Sequence, residues 1–200
     1  DTLFEGHKFT SENSISKALE TVLNQIFRHN IETESESLSK FYKSVKRRAS
    51  DIVTTKGRQT LVLELYDRFF RNAFPSTTQK LGIVYTPLEV VDFIIHSVND
   101  VLKDEFGKSL KDKNIHILDP FTGTGTFITR LLQSGLIPEQ DLDHKYNYEI
   151  HVNEMVLLAY YIAAINIESV YQDIKKENKY KPFNGMVFTD TFQLYEQERD

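Results

Sequence analysis

The 200-residue sequence predicts an α/β fold, the front half of a Rossmann-like, doubly wound parallel sheet preceded by a helical segment. Three observations carry that expectation. Ile115 to Phe127 reads as a buried strand that stops at Asp119 and turns through Gly123 and Gly125 into a helix. Further β-type runs, Tyr146 to Ile150 and Gly185 to Asp190, are separated by a segment with apolar residues at helical spacing. Strand, helix, strand, helix, strand at these lengths needs crossover connections, hence parallel strands covered by helices.

The first part is helical in pattern. Ile15, Ala18, Leu19, Val22, Leu23 and Ile26 mark a helix from Ser14 to His29, followed by helices from Leu38 to about Ala49 and from Arg58 to Ala73. Pro75-Ser76-Thr77-Thr78 breaks the run. Thr86 is then expected as an N-cap, with Pro87 at the first helical position and Glu89 completing a capping box. Leu88, Val91, Ile94, Ile95, Val98 and Leu102 line one face of that helix, which is expected to end near Phe106-Gly107. The first strand is expected at Ile115 to Leu118, a helix at Gly125 to Gln133, a second strand at Tyr146 to Ile150 and a second crossover helix at Asn153 to Ile167. Three strand ends then carry an acid: Asp119, Glu149 and Asp190.

Composition narrows the function. A chain with 40% hydrophobic residues supports a core, and no stretch has the length and apolarity of a membrane span, so a cytosolic protein without a membrane partner is the default. Zero cysteines exclude disulfides, thiolate zinc sites and a cysteine nucleophile, and the six scattered histidines give no metal signature. Residues 1 to 82 carry 13 Lys and Arg against 10 Asp and Glu, while residues 83 to 200 carry 11 against 19. The acidic second part is poorly suited to gripping phosphates by itself. The basic stretch Lys40 to Arg58 is a candidate nucleic-acid contact, but it lacks an aromatic platform or a groove-reading motif and reads first as a solvated helix face.

The glycine turn fits neither common phosphate site. It lacks the third glycine of a dinucleotide fingerprint and the Gly-Lys-Ser/Thr of a P-loop. Carboxylates at successive strand ends suit a ligand bearing an ammonium, a ribose diol and an adenine amino group, and S-adenosylmethionine has all three. An architectural Gly turn with helix-capping acids is the plainer alternative.

Asp119-Pro120-Phe121-Thr122-Gly123-Thr124-Gly125-Thr126-Phe127 resembles the cofactor motif of DNA amino-methyltransferases that modify adenine, and Gly82-Ile83-Val84-Tyr85-Thr86-Pro87 is similar to the motif preceding it. Tyr148-Glu149-Ile150 resembles the family's second strand-end motif, and Phe188-Thr189-Asp190-Thr191-Phe192 its third. The resemblance implies an S-adenosylmethionine-dependent methyltransferase sheet. It further implies that Thr86 and the Gly123 to Gly125 backbone hold the methionine end, with Asp119 near the ammonium. Glu149 would accept the ribose hydroxyls, Asp190 the adenine amino group, and Ile150 with Phe192 would pack around the ring. Tyr85, Pro87, Pro120, Thr122 and Phe127 belong to the same motifs, Tyr85 and Phe127 as packing residues.

The family transfers its methyl group with an Asn/Asp-Pro-Pro-Tyr/Phe motif, and no such tetrapeptide occurs here, so no catalytic residue is assigned. The chain begins without methionine and ends at Glu198-Arg199-Asp200, and is expected to be a piece of a larger bacterial enzyme that binds cofactor without itself methylating. Leu38 to Phe74, with Leu63-Glu64-Leu65-Tyr66-Asp67-Arg68-Phe69-Phe70, is similar to the helical segment before the methyltransferase motifs of Type ISP restriction-modification enzymes. That likeness implies residues 1–81 as a coupler-like region and residues 82–200 as the cofactor-binding part of the methyltransferase domain. It also implies a nuclease, a motor and a target-recognition domain elsewhere in the parent polypeptide, and DNA as its partner. An RNA or protein methyltransferase, or a non-catalytic coupler or scaffold, remain the alternatives.

Overall fold

The computed structural model describes residues 86–176 and 180–193, together with Lys43, Arg47 and Leu61. The chain divides into two compact units, Asp1–Val84 and Tyr85–Asp200. In the first unit Lys43, Arg47 and Leu61 are helical, and the rest of the three helices expected there lies outside the described residues.

The second unit opens with α1, Leu88–Phe106, which buries Val91, Ile95 and Asn99 at successive four-residue steps and is closed by the Gly107 N–H on the Lys103 carbonyl. Its start differs from the expected capping box. Pro87 occupies the N-cap position with extended ψ, and no side chain caps the helix. The Pro87 carbonyl accepts the Val90 and Val91 N–H groups instead, so the helix begins one residue after the proline.

Strand β1, Ile117–Asp119, leads through the glycine turn into α2, Thr126–Gln133. A short helix not expected from sequence, α3 at Glu139–His144, continues into a wide π-helical turn, Lys145–Glu149. Only then comes β2, at Ile150–Glu154 and not at Tyr146 to Ile150. Helix α4, Leu157–Lys175, is correspondingly displaced from the expected Asn153 to Ile167, and β3, Met186–Phe188, completes the described elements.

The three strands are parallel in the order β1-β2-β3, with Asp119 opposite Val152 and Glu154 opposite Phe188. Side chains alternate between faces along each strand. Ile150, Val152 and Met186 are buried, as are Ala159, Ala163, Ala164 and Ile167 of α4. On the alternate positions Leu118 and Val187 are exposed, and the imidazoles of His116 and His151 stack with centroids 5.2 Å apart. Helices α1 and α2 are joined by a two-pronged ion pair in which the Arg130 guanidinium donates to both Asp92 carboxylate oxygens, at 2.7 and 2.5 Å. Asp92 is four residues into α1 and Arg130 four into α2, so both helices start beside the same end of the sheet.

Candidate cofactor site at the strand tips

The tip of β1 is built around Asp119. Its Oδ2 accepts the Thr122 hydroxyl at 2.8 Å and its Oδ1 the Phe121 N–H at 3.3 Å. Burial pushes the Asp119 carboxyl above its usual range, against the lowering effect of those two hydrogen bonds. Proton binding therefore begins to compete for this group at a higher pH than at an exposed aspartate.

The two glycines that follow are needed for different reasons. Gly123 has φ +57°, and a Cβ there would meet nothing within 4 Å, so the backbone faces open space. Gly125 has φ +83°, and a Cβ would sit 3.2 to 3.3 Å from Ala163 and Ile167 of α4. Gly125→Ala is therefore expected to destabilise by about 2–4 kcal/mol and Gly123→Ala by about 1 kcal/mol, a ranking that denaturant midpoints would read.

The acid at the tip of β2 is Glu154. Its Oε2 accepts the Gly123 N–H at 2.8 Å and its Oε1 the Val156 N–H at 2.7 Å. A single carboxylate thus ties the glycine turn to the start of α4. The tip of β3 follows the same pattern: Asp190 Oδ1 accepts the Phe192 N–H at 3.0 Å, and the Thr189 N–H donates to the Glu154 carbonyl at 3.1 Å. Phe192, 80% exposed, lies with its ring centroid 5.3 Å from that of Phe121, itself 61% exposed.

Glu149 and Ile150, expected at the second tip, stand at the start of β2. At about 3.3 Å per residue, Ile150 is about 13 Å from Glu154 along the strand, and Glu149 lies one residue further back. Glu149 is 2% exposed, paired with the buried Lys145 at 2.5 Å, and accepts the Asn114 N–H at 2.7 Å. Lys145 also donates to the carbonyls of Asp112 and Ile115, so the pair fastens the π-helical turn to the loop before β1. Burial opposes ionisation of Glu149, yet hydrogen bonds from Lys145, Asn114 and His144 outweigh it and hold the carboxyl down at about 2. Ile150 is 1% exposed in the core. Met155, the exposed residue after Glu154, takes its place at the tip.

Of the remaining expected residues, Thr86 and Pro87 immediately precede α1, and Tyr85 lies outside the described residues. Pro120 and Thr122 lie in the turn, with the Thr122 N–H on the Asn153 carbonyl at 3.0 Å. Phe127 packs beside an apolar cleft of about 460 Å³ between α1, β1 and α2, which Asp119 also lines.

Residues 58–197 match the N-6 DNA Methylase family. The chain belongs to that family. Residues 1–57 match the coupler domain of Type ISP restriction-modification enzymes. Three solved structures are similar over nearly the whole chain. A cryo-EM structure of a DrdV–DNA complex matches with a TM-score of 0.83 and 34% identity, over 95% of this chain and 18% of that one. A nuclease-deletion mutant of the Type ISP restriction-modification enzyme LlaGI, in complex with a DNA substrate mimic, gives 0.75 and 47% over 96% of this chain and 16% of its own. The ATP-dependent Type ISP restriction-modification enzyme LlaBIII, bound to DNA, gives 0.78 and 48% over 100% and 14%. The chain thus spans less than a fifth of the length of each of these proteins. A search of curated proteins gave no match.

N-6 DNA methylases use S-adenosylmethionine, and the tips of this sheet suit it chemically. Asp119, Glu154 and Asp190 offer acceptors for an ammonium, a diol and an amino group, Gly123 leaves room for close backbone approach, and Phe121 and Phe192 present exposed rings. No helix among the described residues is long and apolar enough to cross a membrane.

Proposed function

We propose that the second unit binds S-adenosylmethionine across the three strand tips, as the cofactor-binding part of an adenine-specific DNA methyltransferase. The observation that carries this reading is the Gly123 N–H bond to Glu154, which unites the glycine turn and the second acid in one site. Thr86 and the Gly123 to Gly125 backbone hold the methionine end, and Asp119 receives the ammonium. Glu154 accepts the ribose hydroxyls, Asp190 the adenine amino group, and Met155 with Phe192 flank the ring. Bound there, the cofactor supplies an activated methyl group, which in the parent polypeptide goes to the exocyclic amino group of adenine in DNA.

The cofactor-binding part lies in residues 82–200; of residues 1–81, read as coupler-like, 1–57 match the coupler domain and 58–81 already match the methylase family, and a motor, a nuclease and target recognition are supplied elsewhere in the parent. No Asn/Asp-Pro-Pro-Tyr/Phe tetrapeptide lies in these 200 residues, so the group that receives the target amino group comes from outside them. Calorimetric titration of the protein with S-adenosylmethionine tests the reading. One site is expected, weakened in Asp190→Ala, and absence of binding by folded protein would sink it. Methyl transfer to DNA by the 200 residues alone would overturn the division of labour.

A further inference from the structure

The loop after β3 does not stay over its own strand. Neighbouring strands lie about 4.8 Å apart, so β1 and β3, separated by β2, are about 9.6 Å apart. Even so, the Thr191 hydroxyl donates to the Pro120 carbonyl at 2.6 Å, and its own Oγ1 accepts from Asn153 Nδ2 of β2 at 3.4 Å. One hydroxyl therefore gives its proton to the β1 tip and faces an amide donor on the β2 tip, which uses both sides of its hydrogen-bonding capacity. All three tips meet at it.

The neighbours of the two bonded residues are the exposed rings. Phe192 follows Thr191, Phe121 follows Pro120, and the rings lie 5.3 Å apart with planes inclined by 31°. Two phenylalanines held in contact while both face solvent form an exposed apolar wall, and a tilted aromatic surface of this kind suits a flat heteroaromatic ring. Loop and ring are coupled: without the Thr191 bond, what holds Phe192 among the described residues is the turn that Asp190 closes on the Phe192 and Gln193 N–H groups.

We propose that Thr191 is a positioning residue for the cofactor's purine: its clasp on Pro120 braces Phe192 against Phe121 and fixes the wall on which the ring lies. This rests on the reading of the tips as the S-adenosylmethionine site. The test measures S-adenosylmethionine dissociation constants by calorimetry in the intact protein for wild type, Thr191→Val, Thr191→Ser, Phe192→Ala and the Thr191→Val/Phe192→Ala double variant. Thr191→Val is isosteric and lacks the donor, and is expected to weaken binding about tenfold. Thr191→Ser keeps the hydroxyl and is expected to stay within about twofold of wild type. Because Thr191 acts through Phe192, the double variant is expected to bind no more weakly than Phe192→Ala alone.

Unchanged binding in Thr191→Val, an equal loss in Thr191→Ser, or additive losses in the double variant would each overturn the clasp while leaving the site reading intact. No binding by wild type would remove both. A valine variant that fails to fold leaves the serine variant and Phe192→Ala to decide: a serine variant weakened as much as Phe192→Ala overturns the proposal, and one that binds like wild type supports it.

Discussion

Replacing Glu154 with alanine is expected to weaken S-adenosylmethionine binding by a hundredfold or more, while Glu149→Gln leaves the affinity of the folded protein unchanged. Hydrogen bonds to a charged acceptor contribute about 1.5–3 kcal/mol each, so losing two of them exceeds two decades in affinity. The alanine variant also frees the Gly123 N–H, which adds to the loss by releasing the glycine turn. Calorimetry on the two variants side by side decides between the two ends of β2. A folded Glu149→Gln protein that no longer bound the cofactor, beside a Glu154→Ala protein that did, would return the site to the start of the strand.

The second large effect belongs to stability. Lys145 and Glu149 are 1% and 2% exposed, and truncating one partner leaves the other charge buried without its counter-ion. Lys145→Met is expected to cost about 3–5 kcal/mol, whereas Lys145→Met with Glu149→Leu recovers the part due to the unpaired charge and keeps the part due to the Asn114 N–H and the Asp112 and Ile115 carbonyls losing their partners. Denaturant midpoints would show the pattern, and equal destabilisation by the single and double variants would contradict it. The pH dependence has a definite sign. A carboxyl lowered from 4.5 to about 2 on folding stabilises fully above its unfolded value and loses that contribution as pH falls from about 4.5 toward 2. Wild type should therefore lose stability across that interval more steeply than Glu149→Gln.

Much of this architecture was legible because local signals agreed with burial. Helix α1 runs from Leu88 to Phe106 as its 3-to-4 spacing and the following glycine indicate, and Asp119 with its glycine turn lies where a strand meets a helix. The capping box expected at Thr86 gives way because the Pro87 carbonyl, at extended ψ, takes the Val90 and Val91 N–H groups, which puts Pro87 in the N-cap position and Thr86 one residue outside the helix. The displacement of the second strand has a stronger cause. Tyr146-Asn147-Tyr148-Glu149-Ile150 has aromatic, β-type residues, yet Tyr146 is buried against Tyr171, with centroids 3.8 Å apart, in a helical segment. Tertiary packing overrode propensity there. The corrective signal was present: Lys145 and Glu149 are four apart and of opposite charge, a helical spacing, and Ile150-His151-Val152-Asn153-Glu154 alternates up to an acid. Thr191 left no such trace, since a threonine after an aspartate is ordinary turn chemistry and its partner is 71 residues away.

An ionised carboxylate has about four lone-pair directions, and backbone amides already occupy two on Glu154. Two are left over, the number that a pair of vicinal hydroxyls fills. Discrimination against a 2′-deoxy sugar at this position is then a matter of valence more than of fit: one acceptor would be stranded, and a loosened Gly123 amide would be the first place to feel it.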